Sequence, residues 1–368
     1  MNTLALTFLG TASAYPTPSR CVSCTALSHD EGIWLFDCGE GAQVQLMKSP
    51  LKPGKISKIF ITHLHGDHSF GLPGLLCTVS QNSLRTEPLE IYGPVGLRHF
   101  VCTNLALSRA DVCFDFIVHE LETIPEQQPL DAEEWPLQVP SSVPFHPCER
   151  EGRLIRPDDN LIWHLYSDPK LTVKAVWVKH RVPSFTFVVQ ESPKSGKLDA
   201  SKLKAMGVPP GPLYAKLKAG QAISLENGQM VSPSEVVGPS IPGRTVVVSG
   251  DSCDSSELNK VARGATVLVH EATLENSLWE QCVQNGHSTP EMTATLAKEL
   301  DVKMLVITHV SQRYKTRAAE LKEGDRSVQI LLDEALEILP ADKVILAEDF
   351  AVYTVPQQPP GGSASNMT

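Results

Sequence analysis

The chain is 368 residues long, 42% apolar, and carries a formal net charge of −10 at pH 7. That length and apolar share support one large globular domain or two fused halves with a sizeable core. Nine cysteines, an odd number spread from Cys21 to Cys282, exclude a disulfide framework and a zinc ribbon, and no apolar window reaches the length of a membrane span. The amino terminus has neither the charged region nor the long apolar run of a secretion signal, so a cytosolic or nuclear address is expected, with the cysteines as reduced, mostly packed thiols. Cys21 and Cys24, the one close pair, lack a matching second pair and read as strand residues rather than a metal or redox site.

In chain order, strand-like runs are predicted at Leu4 to Leu9, Ile33 to Phe36, Lys58 to Thr62 and Leu89 to Tyr92, alternating with helical stretches near Gly41 to Lys48 and Pro94 to Leu107. A proline-rich, acidic stretch from Pro125 to Pro157 reads as a surface excursion, so an insertion is expected at about 120–160. Strands follow at Val173 to Val178, Phe185 to Val189, Thr245 to Ser249, Val267 to His270, Met304 to Thr308 and Val344 to Leu346, with helices around Ser255 to Ala262, Pro290 to Leu300 and Val328 to Leu336. The pattern is mixed, layered α/β without an internal repeat, and the segment 356–368 reads as a disordered tail.

Charge is uneven along this frame. From Ala110 to Glu149 there are nine acidic residues and no Lys or Arg, whereas Lys194 to Gly220 holds six lysines against Asp199 alone. A negative total argues against a polyanionic partner, but a local basic arm reverses that where it projects. A lysine run is ordinarily just a solvated helix face, so the arm needs a second feature before it signifies binding.

That feature lies in "FITHLHGDHSFGLPG", where His63, His65, Asp67 and His68 occupy six positions directly after an apolar strand. Successive strand residues point to opposite faces, and Gly66 supplies the turn that lets the four side chains converge. Imidazole with carboxylate is a borderline-to-hard donor set, suited to Zn²⁺, with Mn²⁺ or Fe²⁺ as alternatives, and four donors in one turn suit two ions.

The H-x-H-x-D-H motif after a strand resembles the metallo-β-lactamase superfamily. Further residues stand where strands stop: Asp37 in "WLFDCGEG", His180 after "VKAVWVK", Asp251 after "TVVVSG" and His309 after "MLVIT". The resemblance implies an αββα sandwich spanning about 1–355, in which His63, His65 and His180 hold one zinc, Asp67, His68 and His309 the other, and Asp251 bridges the two. Within the superfamily, "HEAT" (270–273), "HST" (287–289), "AEDF" (347–350) and the basic arm with "GVPPGPLYAKLKAG" (207–220) resemble ribonuclease Z, the endonuclease that removes the 3′ trailer from precursor tRNA. This similarity implies a flexible arm at about 191–240 that grips tRNA through Lys202, Lys204, Gly211, Pro212, Lys216 and Lys218. In ribonuclease Z enzymes the arm of one subunit serves the site of the other, so a homodimer is implied, with neither a membrane nor DNA as partner. Two departures are visible: Ala215 stands where the arm motif has glycine, and "PTPSRC" (16–21) keeps only Pro16 and Arg20 of a Pro-x-Lys-x-Arg-Asn loop that helps bacterial enzymes discriminate the CCA end.

The implied chemistry is in-line attack of water on a phosphodiester, leaving 3′-OH on the tRNA and 5′-phosphate on the trailer. Two divalent ions roughly 3.5 to 4 Å apart stabilise such a transition state, and Asp67 is the residue to take the water's proton. The ribose 3′ oxygen is a poor leaving group that gains about 10²- to 10⁴-fold from a proton donor. His287, just before a helix start, is the candidate acid, and Glu271 the carboxylate that keeps it protonated. A small-molecule hydrolase of the same fold, a general dizinc phosphodiesterase and a catalytically dead RNA-binding scaffold are the alternatives. The arm argues against the first two, and the full set of ligand candidates against the third.

Overall fold

The computed structural model describes residues 3–81, 85–128, 144–225 and 228–359. The chain divides into two compact units, one of Met1–Ser167, Val173–Val189 and Thr245–Val355, the other of Asp168–Thr172, Gln190–Arg244 and Pro356–Thr368.

The larger unit is built on two sheets. In the first, the strands run in the order Val352–Thr354, Leu4–Gly10, Cys24–His29, Gly32–Phe36, Ile56–Phe60, Leu89–Pro94, Phe116–Leu121 and Glu149–Arg150. The pairs from Val352–Thr354 to Gly32–Phe36 are antiparallel and those beyond are parallel. The second sheet runs Val344–Leu346, Leu305–Thr308, Val267–Glu271, Thr245–Ser249, Ser184–Glu191, Leu171–Val178 and Ile162–Ser167, its first four strands parallel.

Alternation decides which side chains meet, because successive strand residues face opposite ways. In the first sheet Leu35, Ile59 and Ile91 point outward and pack with Leu46, Leu75, Val79 and Val101 from the helices Ala42–Lys48, Leu72–Gln81 and Leu97–Leu107. Their neighbours Phe36, Phe60 and Tyr92 point inward, stacked at 5.1 Å between successive rings, and Phe60 meets Phe187 of the second sheet at 5.3 Å. On the far side Val247, Leu268, Leu305 and Ile307 pack with Ala294, Ala297 and Leu331 of the helices Pro290–Glu299 and Gln329–Leu336. The result is the helix–sheet–sheet–helix layering expected from the sequence. Each fully buried aromatic or aliphatic side chain contributes about 1.5–3 kcal/mol to it. Parallel strands end on one edge, and so the loops after Phe36, Phe60, Ser249, Glu271 and Thr308 gather there.

Several elements differ from the sequence expectation. The strands Cys24–His29, Phe116–Leu121 and Ile162–Ser167 and the helix Leu72–Gln81 were not predicted. The helix expected at Ser255–Ala262 is a 3₁₀ segment, Ser256–Lys260, because the side chain of Asp254 accepts from the Ser256 amide and i→i+3 bonds close its turns. The expected Pro94 start moves to Leu97, since Pro94 ends a strand and Gly96 turns the chain at φ 103°. Of the acidic excursion, 129–143 lie outside the described residues, whereas Glu149–Arg150 and Leu154–Ile155 pair with Phe116–Leu121 and belong to the sheet. The tail beyond 359 also lies outside them. Among the described residues no helix is long and apolar enough to cross a membrane, and all nine cysteines are free thiols.

The smaller unit has its own core of Leu203, Val208, Leu217, Ile223, Val231 and Val236. It carries the helices Ala200–Ala205, Pro212–Lys218 and Pro233–Val236 and a short hairpin of Ile223–Ser224 with Met230–Val231. Asp199 caps the first helix through the Lys202 amide, and Ser232 with Glu235 forms a capping box on the third. At its base a Cβ on Gly243 would lie 1.7 Å from the Glu191 carbonyl oxygen, so only glycine allows the two chain ends to approach this closely. Beside it Arg244 Nε donates to Glu191 Oε2 at 2.8 Å and Nη2 to Oε1 at 3.1 Å, both side chains 2% exposed.

Burial alone would raise the Glu191 carboxyl, but the Arg244 guanidinium outweighs it and holds the group at about 2. Its stabilisation is therefore fully present above the unfolded value of about 4.3 and lost as pH falls towards 2. Arg244→Met removes the bidentate partner of this buried charge and leaves it Lys194 at 3.2 Å, so it should destabilise the unit by up to about 3 kcal/mol, seen as faster trypsin cleavage at its lysines at pH 7. Equal cleavage of variant and wild type would count against the clamp.

Candidate metal centre and acid pair

Every cluster residue sits just past a strand end. The chain leaves Ile56–Phe60 through Thr62 and His63, then turns into the one-turn helix Gly66–Ser69, which carries Asp67 and His68 back beside His63. His180 follows Leu171–Val178, Asp251 follows Thr245–Ser249, and His309 follows Leu305–Thr308. The ligand atoms of His63, His65 and His180 lie within 4.8 Å of one another, as do those of Asp67, His68, Asp251 and His309. In the first set His65 Nδ1 is 3.1 Å from His63 Nε2 and 3.2 Å from His180 Nε2. In the second, His309 Nε2 is 3.2 Å from Asp251 Oδ2 and 3.3 Å from both Asp67 Oδ2 and His68 Nε2. Asp251 reaches both sets, with His68 at 3.4 Å and His63 at 3.9 Å. All seven residues named from the sequence are thus brought together.

Four of the five rings are aimed by their other nitrogen. His68 Nδ1 pairs with Asp37 Oδ2 at 2.8 Å, and the Thr62 amide and hydroxyl hold Asp37 in turn. Thr62 Oγ1 also lies 3.0 Å from His63 Nδ1. His180 Nδ1 donates to the Gly286 carbonyl at 2.7 Å, and Gly286, at φ 77°, has no room for a Cβ, which would sit 2.7 Å from that nitrogen. His309 Nδ1 lies 2.9 Å from Thr273 Oγ1. Asp67 Oδ2 accepts the Ala14 amide at 2.7 Å. Three of these residues, Ala14, Asp37 and His309, adopt φ of 64°, 60° and 56°, a region non-glycine residues rarely enter.

Electrostatics divide the cluster. Burial lowers His63 well below the usual imidazole value, with neighbouring rings adding to it, brings His65 to about 4, and lowers His180. Burial would do the same to His68, but Asp251, Asp67 and Asp37 outweigh it and raise it. Asp67 and Asp251, though burial opposes their charge, are held well below the usual carboxylate range by His68 and His309. The neutral imidazoles of His63, His65 and His180, with His68 and His309 beside the ionised Asp67 and Asp251, form a donor set that fits two divalent ions of borderline hardness.

Next to this cluster His287 Nδ1 donates to Glu271 Oε1 at 3.1 Å and lies 3.6 Å from Asp251 Oδ2. Glu271 is 2% exposed and also accepts the Ser252 amide at 2.7 Å. Burial opposes a charge on His287, yet Glu271 and then Asp251 push it up to about 9. Glu271 is correspondingly lowered against its own burial, chiefly by His287. The pair is a largely buried imidazole–carboxylate couple beside the two donor sets.

The six arm residues named from the sequence lie elsewhere, in the smaller unit. Lys202 and Lys204 are on the helix Ala200–Ala205, Lys216 and Lys218 on Pro212–Lys218 behind Gly211 and Pro212, and all six residues are exposed. Cys24 is packed in the core and Cys21 donates to the Glu40 carbonyl, so neither belongs to a donor cluster. Sequence reasoning missed Thr62, Thr273, Gly286, Ser252 and the Ala14 amide. Only Thr273 carried a signal, as the last letter of "HEAT".

A family profile described as anti-Pycsar protein Apyc1 matches residues 4–105. The zinc phosphodiesterase ELAC protein 1 of Bos taurus is 47% identical over 359 residues, 95% of this chain and 98% of that protein. The crystal structure of the short form of human tRNase Z (ELAC1) superposes with a TM-score of 0.66 at 36% identity, covering 96% of this chain and 99% of that one. A metallo-β-lactamase fold protein from Bacillus subtilis, YhfI, matches at a TM-score of 0.57 and 15% identity over 96% of this chain and all of that one, a likeness of fold. The chain therefore has the metallo-β-lactamase fold and belongs to the ELAC zinc phosphodiesterase, or short-form tRNase Z, family.

Proposed function

We propose that this chain is a tRNA 3′-processing endoribonuclease, a dizinc phosphodiesterase that removes the 3′ trailer from precursor tRNA. The observation that carries the reading is the placement of the His287–Glu271 pair beside two donor sets, with Asp251 in one and 3.9 Å from His63 of the other. His63, His65 and His180 are the residues to hold one zinc, Asp67, His68 and His309 the other, with Asp251 between them. When bound, the two ions supply charge for the phosphoryl transition state and acidify a water.

The chain's own residues do the rest. Asp67, kept ionised and fixed by the Ala14 amide, orients the attacking water and accepts its proton. His287 delivers a proton to the departing ribose 3′ oxygen, leaving 3′-OH on the tRNA and 5′-phosphate on the trailer. Glu271, itself locked by the Ser252 amide, accepts the His287 Nδ1 proton and so keeps the ring charged and aimed, its Nε2 proton free for transfer. The smaller unit is the arm, and Lys202, Lys204, Lys216 and Lys218 meet tRNA phosphates, while Gly211 and Pro212 shape the tip. Grip and cleavage at two places on one tRNA are served by a homodimer. Nine free thiols suit residence in the cytosol or nucleus.

Asp251→Ala should lose metal from both positions and nearly all activity, because one carboxylate contributes to two coordination spheres. Elemental analysis that still finds two zinc ions per chain would remove the bridging role.

His287→Ala should keep its metals yet cut precursor tRNA about 10²- to 10⁴-fold more slowly. A nitrophenyl phosphodiester, whose leaving group needs no proton, should suffer far less. Equal losses on both substrates refute the acid role.

A general phosphodiesterase of the same fold is the competing reading. Deleting 198–220 removes four of the six clustered lysines with the two helices that carry them, but no proposed ligand, so nitrophenyl phosphodiester hydrolysis should persist while precursor-tRNA cleavage collapses. Exchanging Lys216 and Lys218 for Glu should weaken tRNA binding and flatten its salt dependence. A folded, metal-loaded deletion variant that processes precursor tRNA at the wild-type rate would favour the general phosphodiesterase.

A further inference from the structure

The parallel register of Val267–Glu271 beside Leu305–Thr308 pairs Glu271 with Thr308, which brings Thr273, two residues on, next to His309. There the Thr273 hydroxyl touches three groups: His309 Nδ1 at 2.9 Å, the His309 carbonyl oxygen at 3.0 Å, and Glu271 Oε2. Thr273 is 4% exposed, so no solvent competes for these contacts. A hydroxyl has one proton to give. An ionised carboxylate is a stronger acceptor than a carbonyl, so that proton goes to Glu271, and the hydroxyl oxygen accepts from the ring. His309 must then carry its proton on Nδ1, which leaves the Nε2 lone pair directed at Asp67, His68 and Asp251.

The same carboxylate continues the chain. Glu271 Oε1 accepts from the Ser252 amide and from His287 Nδ1, so a single run of hydrogen bonds passes from His309 through Thr273 and Glu271 to His287. The other rings end differently: His68 on Asp37, His63 on Thr62 and His180 on the Gly286 carbonyl. His309 is the ring whose partner also holds the acid pair. We propose that Thr273 is a positioning residue that performs two tasks with one hydroxyl: it fixes the His309 tautomer and direction for metal, and it fixes the Glu271 carboxylate that aims His287.

This rests on the roles given to His309 and His287 above, and the test separates the two levels. Thr273→Val keeps the shape and removes the hydroxyl, whereas Thr273→Ser keeps the hydroxyl. Metal retention is read by titrating the zinc-loaded protein with a colorimetric chelator, and catalysis by comparing precursor-tRNA cleavage with nitrophenyl phosphodiester hydrolysis at saturating zinc. Thr273→Val should release one zinc per chain at about 10- to 100-fold lower chelator concentration. With zinc restored it should lose more rate on tRNA than on the nitrophenyl ester, and Thr273→Ser should recover both properties. Wild-type retention in Thr273→Val overturns the ligand-fixing task. Weakened retention with an unchanged ratio of the two rates overturns the link to the acid. A wild-type protein inactive on precursor tRNA would instead strike at the function proposed above, while the chelator titration would still read the effect of Thr273 on His309.

Discussion

The site is organised by the need to keep Asp67 and Asp251 ionised where water scarcely reaches them. An uncompensated buried charge costs several kcal/mol even after relaxation, so a fold that holds two must surround them with groups that favour the negative form. Here His68 and His309 do so, and two divalent ions do so more strongly. The strand ends supply these groups from both sheets, which is possible because parallel strands in each sheet terminate on the same edge. The packed aromatic layer of Phe36, Phe60, Tyr92 and Phe187 below makes that edge rigid.

The same constraint separates the chemistry of neighbouring histidines. His63, His65 and His180 lie among one another and lose charge to burial and mutual repulsion, which leaves them as neutral donors. His287 is also largely enclosed, but it faces Glu271 and Asp251 and keeps its proton. Identical side chains thus split into neutral and charged imidazoles according to which charges they face, a division that composition cannot express.

Much of this was legible in the chain because ligands come from strand ends and strand ends are marked by apolar runs. His63 to His68, His180, Asp251 and His309 each follow such a run, and the structure gathers all of them. The helpers were illegible for a physical reason. Thr62 and Thr308 both precede a histidine in the same Ile-Thr-His triplet, yet the hydroxyl that serves His309 is Thr273, two residues past the end of the adjacent strand, a fact of register rather than of local sequence. Gly286 acts through its carbonyl and its missing Cβ, neither of which distinguishes it from a turn glycine in a string of letters. The strand Cys24–His29 escaped notice because its residues at 28 and 29 are polar, and antiparallel pairing on both sides, not pattern, makes it a strand. The segment Ser256–Lys260 is 3₁₀ rather than the expected α-helix, with the Asp254 side chain binding its first amide locally.

Ala14, Asp37 and His309 share a left-handed backbone, and each such residue stores about 1–3 kcal/mol of strain. All three sit around the donor clusters, so the strain is concentrated where ligand binding to the folded state can offset it. A ligand bound only by the folded chain raises stability with its concentration, and the demetallated form is left with the strain and without the compensation. Metal supply then sets more than turnover. It also offsets the backbone strain of the folded chain, so the metal-loaded protein is the more resistant to unfolding.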